Sequence, residues 1–243
     1  MSNFHLAILA SGSGSTGEPL FDKADLLITN NEKAPVKERA SEHKLDCIVL
    51  PKRDYLVYKE NGEIDQEATR LKYGQSLLAT FRIYDINYIS QNGWSVMTPI
   101  NVIKQFNGKI INSHPAPLDP GYEDFGGVGM HGLAVHAAVL IFKKRINRPF
   151  DYTEVCLHQV TEEYDKGMVV AASLVKIEPN DTPESLQQRV KEVERQQNKA
   201  FWDHVEKTGE INPIYRTQRL ILPGEEYHLA EAKRLAIAQY PKG

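Results

Sequence analysis

The chain has 243 residues, 41% hydrophobic and 25% charged, enough for one sizeable α/β domain whose core needs no disulfide or structural metal. Its net charge of −3 gives no electrostatic case for nucleic acid or an anionic membrane surface. The opening MSNFHLAILASGSGS lacks the basic start of a signal peptide, and no stretch approaches the roughly 20 apolar residues of a spanning helix. Cys47 and Cys156 sit in apolar, β-branched surroundings and read as small buried hydrophobes, so the expected compartment is a reducing cytoplasm.

Short apolar runs alternate with helical patterns, which predicts an α/β fold with a mostly parallel sheet. Strands are expected at His5–Ala10, Asp25–Thr29, Cys47–Leu50, Ile86–Ser90, Lys109–Ser113, Thr153–Val160 and Met168–Ile177. Helices are expected near Lys33–His43, Gln66–Tyr84, Pro99–Phe106 and Gly132–Arg145. Only a polar turn separates the last two strands, so they should close the sheet as an antiparallel hairpin. A long helix should follow Asn180-Asp181-Thr182-Pro183, where Asp181 or Thr182 caps the first free N–H groups and Pro183 suits the first turn. A short final helix is expected over Glu225–Gln239. The expected division is a domain over 1–208 with a C-terminal extension, 209–243, packing on it.

The first strand runs directly into Gly12, Ser13, Gly14, Ser15 and Thr16. Glycines let a backbone approach a ligand closely, and successive N–H groups with hydroxyls can cradle a phosphate. With Gly17 the loop also matches G-x-G-x-x-G, and Glu32 lies where a ribose-binding acid would sit, so a nicotinamide-dependent oxidoreductase is the rival. Only Glu18 to Ala24 precede the second strand, however, too short for the usual crossover helix of a dinucleotide site. A monophosphate site needs less.

The strand ending in Asn112-Ser113-His114-Pro115 places two polar side chains on one face at the carboxyl edge of the sheet, where ligands of open α/β folds bind. A satisfied core or turn histidine is the plainer alternative. Asp165-Lys166-Gly167, in the hairpin that begins at His158, reads alone as an ordinary turn.

Taken in order, the Gly/Ser loop, Asn-x-His-Pro and His-x-Val-Thr-x-x-x-Asp-x-Gly resemble the folate-dependent formyltransferases, the branch acting on glycinamide ribonucleotide above all. The resemblance runs from about Leu6 to Trp202. It implies a Rossmann-like twisted sheet with flanking helices and a C-terminal antiparallel hairpin. It also implies 10-formyltetrahydrofolate as co-substrate without a metal, an amine acceptor that is a small molecule, and a monomer or homodimer with no nucleic-acid or membrane partner. Asn112, His114 and Asp165 match the family's catalytic trio, and Gly12–Thr16 its substrate-phosphate loop. Gly93, Trp94, Ser95, Val96 and Met97 match its folate-binding hinge, joined on the folate side by Asn112, Thr161 and Arg70. Glu194 matches its ribose-binding acid. For Glu194 and Arg70 the residues alone read equally well as a solvated helix face.

Two departures bear on the acceptor. The usual short substrate loop is replaced by Asp119–Gly132, whose glycines and aromatics predict a mobile lid, and everything after about Gly209 is additional. Tyr122 and Phe125 in that segment keep an amino sugar nucleotide open as acceptor, and a non-catalytic folate- or nucleotide-binding protein is the alternative of another class. For catalysis, Asp165 is expected to raise the pKa of His114 and so supply an imidazolium to the oxyanion.

Overall fold

The computed structural model describes residues 4–241. Two compact units emerge: one extends to Asn112 and takes in Trp202–Glu210, and the other holds Ser113–Phe201 and continues from Ile211. Seven strands follow the order β3-β2-β1-β4-β5-β6-β7.

β1 (Leu6–Leu9), β2 (Leu26–Thr29), β3 (Cys47–Val49) and β4 (Tyr88–Gln91), in the first unit, are parallel to one another and to β5 (Ile110–His114), whose Ser113 and His114 belong to the second, and Ile8 stands opposite both Leu27 and Ser90. Every residue of β1, β2 and β4 is buried, the polar Thr29, Ser90 and Gln91 included, as in a parallel sheet covered on both faces. The helices are α1 (Val36–Glu42), α2 (Gln66–Ile83) and α3 (Ile100–Phe106). Asp65 caps α2 by accepting the Ala68 N–H at 2.9 Å, and Asn107 ends α3 in the left-handed conformation.

Helix α1 begins three residues after the expected Lys33. The Asn31 side chain accepts the Lys33 N–H at 3.0 Å and its carbonyl accepts the Ala34 N–H, making a local turn that holds the helix back to Val36. Between Gly17 and β2 stands one 3₁₀ turn, Glu18–Leu20. The crossover helix of a dinucleotide fold is absent there, and Glu32 pairs with Arg53 at 2.5 Å. Gly14 has a fold-level reason: its φ is +68°, and an added Cβ would lie 2.2 Å from Val36 Cγ2.

In the second unit β6 (Tyr152–Gln159) and β7 (Val169–Lys176) pair antiparallel. Their register shifts between Leu157, opposite Ala171, and His158, opposite Val169, which leaves Val170 of β7 as the extra residue of a bulge. Helix α4 (Gly132–Arg145) occupies its expected span, and α5 (Pro183–Thr208) starts at a reciprocal cap in which Thr182 Oγ1 accepts the Ser185 N–H and Ser185 Oγ accepts the Thr182 N–H.

Helix α6 (Glu226–Gln239) shares one core with α4, through Leu229, Ala232 and Ala236 against a cluster that includes Val135, Ala138 and Phe142. The segment before α6 is tied down by polar contacts. Arg216 forks the Glu154 carboxylate and donates to Leu118 O, Asp119 accepts the Leu220 N–H at 2.9 Å, and Arg148 grips Glu225 through two 2.7 Å contacts. Among the described residues, no helix is long and apolar enough to cross a membrane.

Candidate functional site

β5 delivers Asn112, half-buried, and His114, buried, two residues apart at its carboxyl end. His114 Nε2 lies 3.0 Å from the carbonyl of Phe125. A carbonyl only accepts, so Nε2 carries the hydrogen, and the other nitrogen, Nδ1, faces Asp165 Oδ2 at 3.6 Å. Asp165 Oδ2 also accepts the Gly127 N–H at 2.9 Å, and its Oδ1 lies 3.4 Å from His158 Nε2. Asp165 has φ +56°, a left-handed position that Asp tolerates better than bulkier residues. Two glycines make room: a Cβ on Gly126 would meet Asp165 Cβ at 2.7 Å, and one on Gly167 would strike Gln159 O.

Burial would raise Asp165, but His114, His158 and the Gly127 N–H outweigh it and hold the carboxyl well below the usual carboxylate range. Burial dominates at His114 and lowers its pKa, with Asp165 opposing and His158 assisting. Asp165 does act to raise the His114 pKa, as expected of it, but burial outweighs it and the net shift is downward, against the expected elevation. The protein leaves the imidazole little water, and Asp165 favours the cation against that burial. His136, on α4, is buried too; its pKa falls to about 3, first by burial and then by His114, and its Nδ1 has no hydrogen-bond partner among the described residues.

Glu194 is enclosed, and does not lie on a solvated helix face. Ser113 Oγ donates to its Oε1 at 2.6 Å, while burial pushes its carboxyl up to about 7. Thr161 and Arg70 are exposed, and the Thr161 hydroxyl donates to Glu163 O at 3.0 Å.

In the first unit the Gly/Ser loop and the Gly93–Met97 hinge are brought together. Ser11 N donates to Gly93 O at 3.0 Å, and Ser11 Oγ accepts from both the Ser95 N–H, at 2.8 Å, and Ser95 Oγ, at 3.0 Å. Gly12 and Ser13 are exposed, Ser15 and Thr16 half-buried, and Ser13 Oγ donates to Ser15 Oγ at 3.2 Å. Gly93 has φ +70°, and half-buried Trp94, Val96 and Met97 line the same turn around exposed Ser95.

The Asp119–Gly132 segment departs from the lid expected of it. Asp124, Phe125, Gly126 and Met130 are buried, Phe125 stacks edge-on against Phe142, and the Asp124 carboxylate accepts from Asp119 N and Gly126 N. Aromatic packing and satisfied backbone groups make its centre part of the core, leaving Gly121–Glu123, Val128 and His131 exposed. Sequence reasoning assigned no role to His158, although it lies in the quoted hairpin motif, and none to the Phe125 carbonyl, because a backbone acceptor has no residue signature.

Residues 4–200 match the family model described as formyl transferase. The chain belongs to that family. The chloroplastic phosphoribosylglycinamide formyltransferase of Arabidopsis thaliana is 30% identical over 194 residues, which are 76% of this chain and 59% of that protein. The Dictyostelium discoideum phosphoribosylglycinamide formyltransferase is 30% identical over 201 residues, 76% of this chain and 90% of its own. The chain spans just under three-fifths of the length of the plant relatives it matches. The crystal structure of phosphoribosylglycinamide formyltransferase from Streptococcus pneumoniae superposes with a TM-score of 0.65 at 19% identity, over 83% of this chain and 98% of that one, a likeness of fold. The mostly parallel sheet with its antiparallel hairpin is the fold of this family.

Proposed function

We propose that this chain transfers the formyl group of 10-formyltetrahydrofolate to the amine of 5′-phosphoribosylglycinamide, a step of purine synthesis. The observation that carries the reading is half-buried Asp165 standing 3.6 Å from buried His114, which lies at the end of β5, two residues beyond Asn112, in a chain of the formyl transferase family. The names of the relatives supply the acceptor. Attack of the amine on the formyl carbon creates an oxyanion, to which the Asn112 amide donates without any change of protonation. His114 Nδ1 takes the proton lost by the amine, and Asp165 stabilises the imidazolium so formed. The same proton passes to the folate nitrogen as its bond to carbon breaks.

In this reading Gly12, Ser13, Gly14, Ser15 and Thr16 hold the substrate phosphate and Glu194 its ribose. The Gly93–Met97 hinge holds the folate, with Thr161 and Arg70 at the edge of its site. The test is an absorbance assay for loss of the formyl folate, with 5′-phosphoribosylglycinamide, an amino sugar nucleotide and simple amines as acceptors. Turnover dependent on the glycinamide nucleotide is expected. Turnover with the amino sugar nucleotide alone would replace the acceptor, and none with any acceptor would overturn the reading.

A further inference from the structure

Three consecutive carbonyls of the Asp119–Gly132 segment have assigned partners. Asp124 O and Gly126 O both accept from Lys233 Nζ, at 3.1 and 2.6 Å. Phe125 O, between them, accepts from His114 Nε2 at 3.0 Å. The following N–H, that of Gly127, donates to Asp165 Oδ2. One short stretch of backbone therefore sets the tautomer of His114 and one oxygen of Asp165, and a single ammonium grips it on both sides of Phe125.

Lys233 lies on α6, beyond the residues that match the family model. Its ammonium is half-buried, and burial lowers its pKa; Asp124, Glu123 and Asp165 favour its charge and Lys166 opposes it. Charge-assisted bonds to carbonyls are stronger than neutral ones. Removing the lysine would leave the buried Asp124 and Gly126 carbonyls without these bonds and free the peptide planes between them to turn. Ile237, one turn further along α6, packs where a Cβ on Gly129 would stand, so the helix meets this segment at two points.

We infer that Lys233 is a positioning residue: it holds the Asp124–Gly127 backbone so that Phe125 O fixes the Nε2–H tautomer of His114 and Gly127 N–H orients Asp165. Its effect on turnover rests on the formyl-transfer reading above, whereas its effect on His114 does not.

The test compares wild type with Lys233→Met, Lys233→Arg and, as a control for α6 packing alone, Leu229→Ala. Nitrogen-15 spectra of labelled histidine report the His114 tautomer, and steady-state assays report kcat and KM. Lys233→Met should mix the His114 tautomers and lower kcat by roughly 10- to 100-fold, as small misplacements of catalytic groups do. KM for the acceptor should stay within about twofold. Lys233→Arg should restore most of both signals, and Leu229→Ala should lower the melting temperature without altering the tautomer. If Lys233→Met does not fold, Lys233→Gln, which keeps N–H donors without the charge, takes its place with the same readouts. An unchanged His114 tautomer in folded Lys233→Met, or in Lys233→Gln where that takes its place, overturns the inference, as does an equal kcat loss in Leu229→Ala. If wild type transfers no formyl group, the proposed function fails while the tautomer comparison still decides the role of Lys233.

Discussion

Ser113 donates a 2.6 Å hydrogen bond to the enclosed carboxyl of Glu194, so the residue between Asn112 and His114 reaches α5 while its neighbours flank it on β5. Burial raises Glu194 to about 7, and the Ser113 hydroxyl, by favouring the charged form, limits that rise.

A carboxyl with a raised folded pKa binds more protons native than unfolded between roughly 4.3 and its folded value. Its stabilising effect is full below that window and is lost as pH rises through about 7. The loss is of order 3 kcal/mol. Glu194→Gln should therefore gain stability over wild type at pH 8 and little at pH 5, measured by urea unfolding. Ser113→Ala should deepen the alkaline loss. If Glu194 also binds ribose, the Gln variant should raise the acceptor KM more than it lowers kcat.

His136 has the opposite sign. Its folded pKa, lowered to about 3 by burial, means the unfolded chain binds the extra proton first as pH falls below about 6.5. Stability contributed above that value is lost on acidification, by roughly 3 kcal/mol at pH 4.5. His136→Leu removes both the titration and an unpartnered nitrogen, so its urea midpoint should fall less than that of wild type between pH 7 and 4.5. Equal slopes would place the acid lability elsewhere.

Strand positions and the span of α4 are legible in the sequence because apolar runs and helical spacing reach over several residues. The 3₁₀ pieces Glu18–Leu20 and Lys52–Tyr55 are too short to show a period. At the site, His114 and Asp165 are readable through a motif, and the contacts that aim them are not. Phe125 contributes a carbonyl, Gly127 an N–H, and Lys233 reads as one more solvated cation on a helix. The net lowering of the His114 pKa also escapes a reading by residue type, because burial, the larger influence, belongs to the packed chain.

Gly126 is conformationally ordinary but sterically committed. A methyl there would press on Asp165 Cβ at 2.7 Å and Leu118 Cδ2 at 2.8 Å. Gly126→Ala should cost about 1–3 kcal/mol by overpacking and should displace Asp165. Its kcat should fall further than that of Gly121→Ala, which strains an exposed turn at φ +91° but whose added Cβ meets nothing within 4 Å. Equal kcat in the two variants would show that Asp165 tolerates the shift.

The sharpest expectations concern Asn112, His114 and Asp165. In the proposed mechanism Asn112→Ala removes an oxyanion donor and should lower kcat by roughly 10²–10³. His114→Ala should cost at least as much, since it removes the proton carrier as well. Asp165→Asn keeps the shape but withdraws the charge that opposes burial at His114, so the His114 pKa drops further. Neutral His114 is the form that accepts a proton, and its pKa governs the acid limb of kcat/KM. Lowering that pKa moves the limb to more acidic pH while reducing the plateau. Wild type loses its active form first as pH falls, so the defect of Asp165→Asn should be largest at neutral to alkaline pH and shrink towards acid. In the proposed mechanism the three side chains serve one intermediate, so their effects should be less than additive, with acceptor affinity nearly unchanged. Formyl transfer at near wild-type rate in a folded His114→Ala, Asp165→Asn double variant would move the chemistry to other residues and leave these as fold elements.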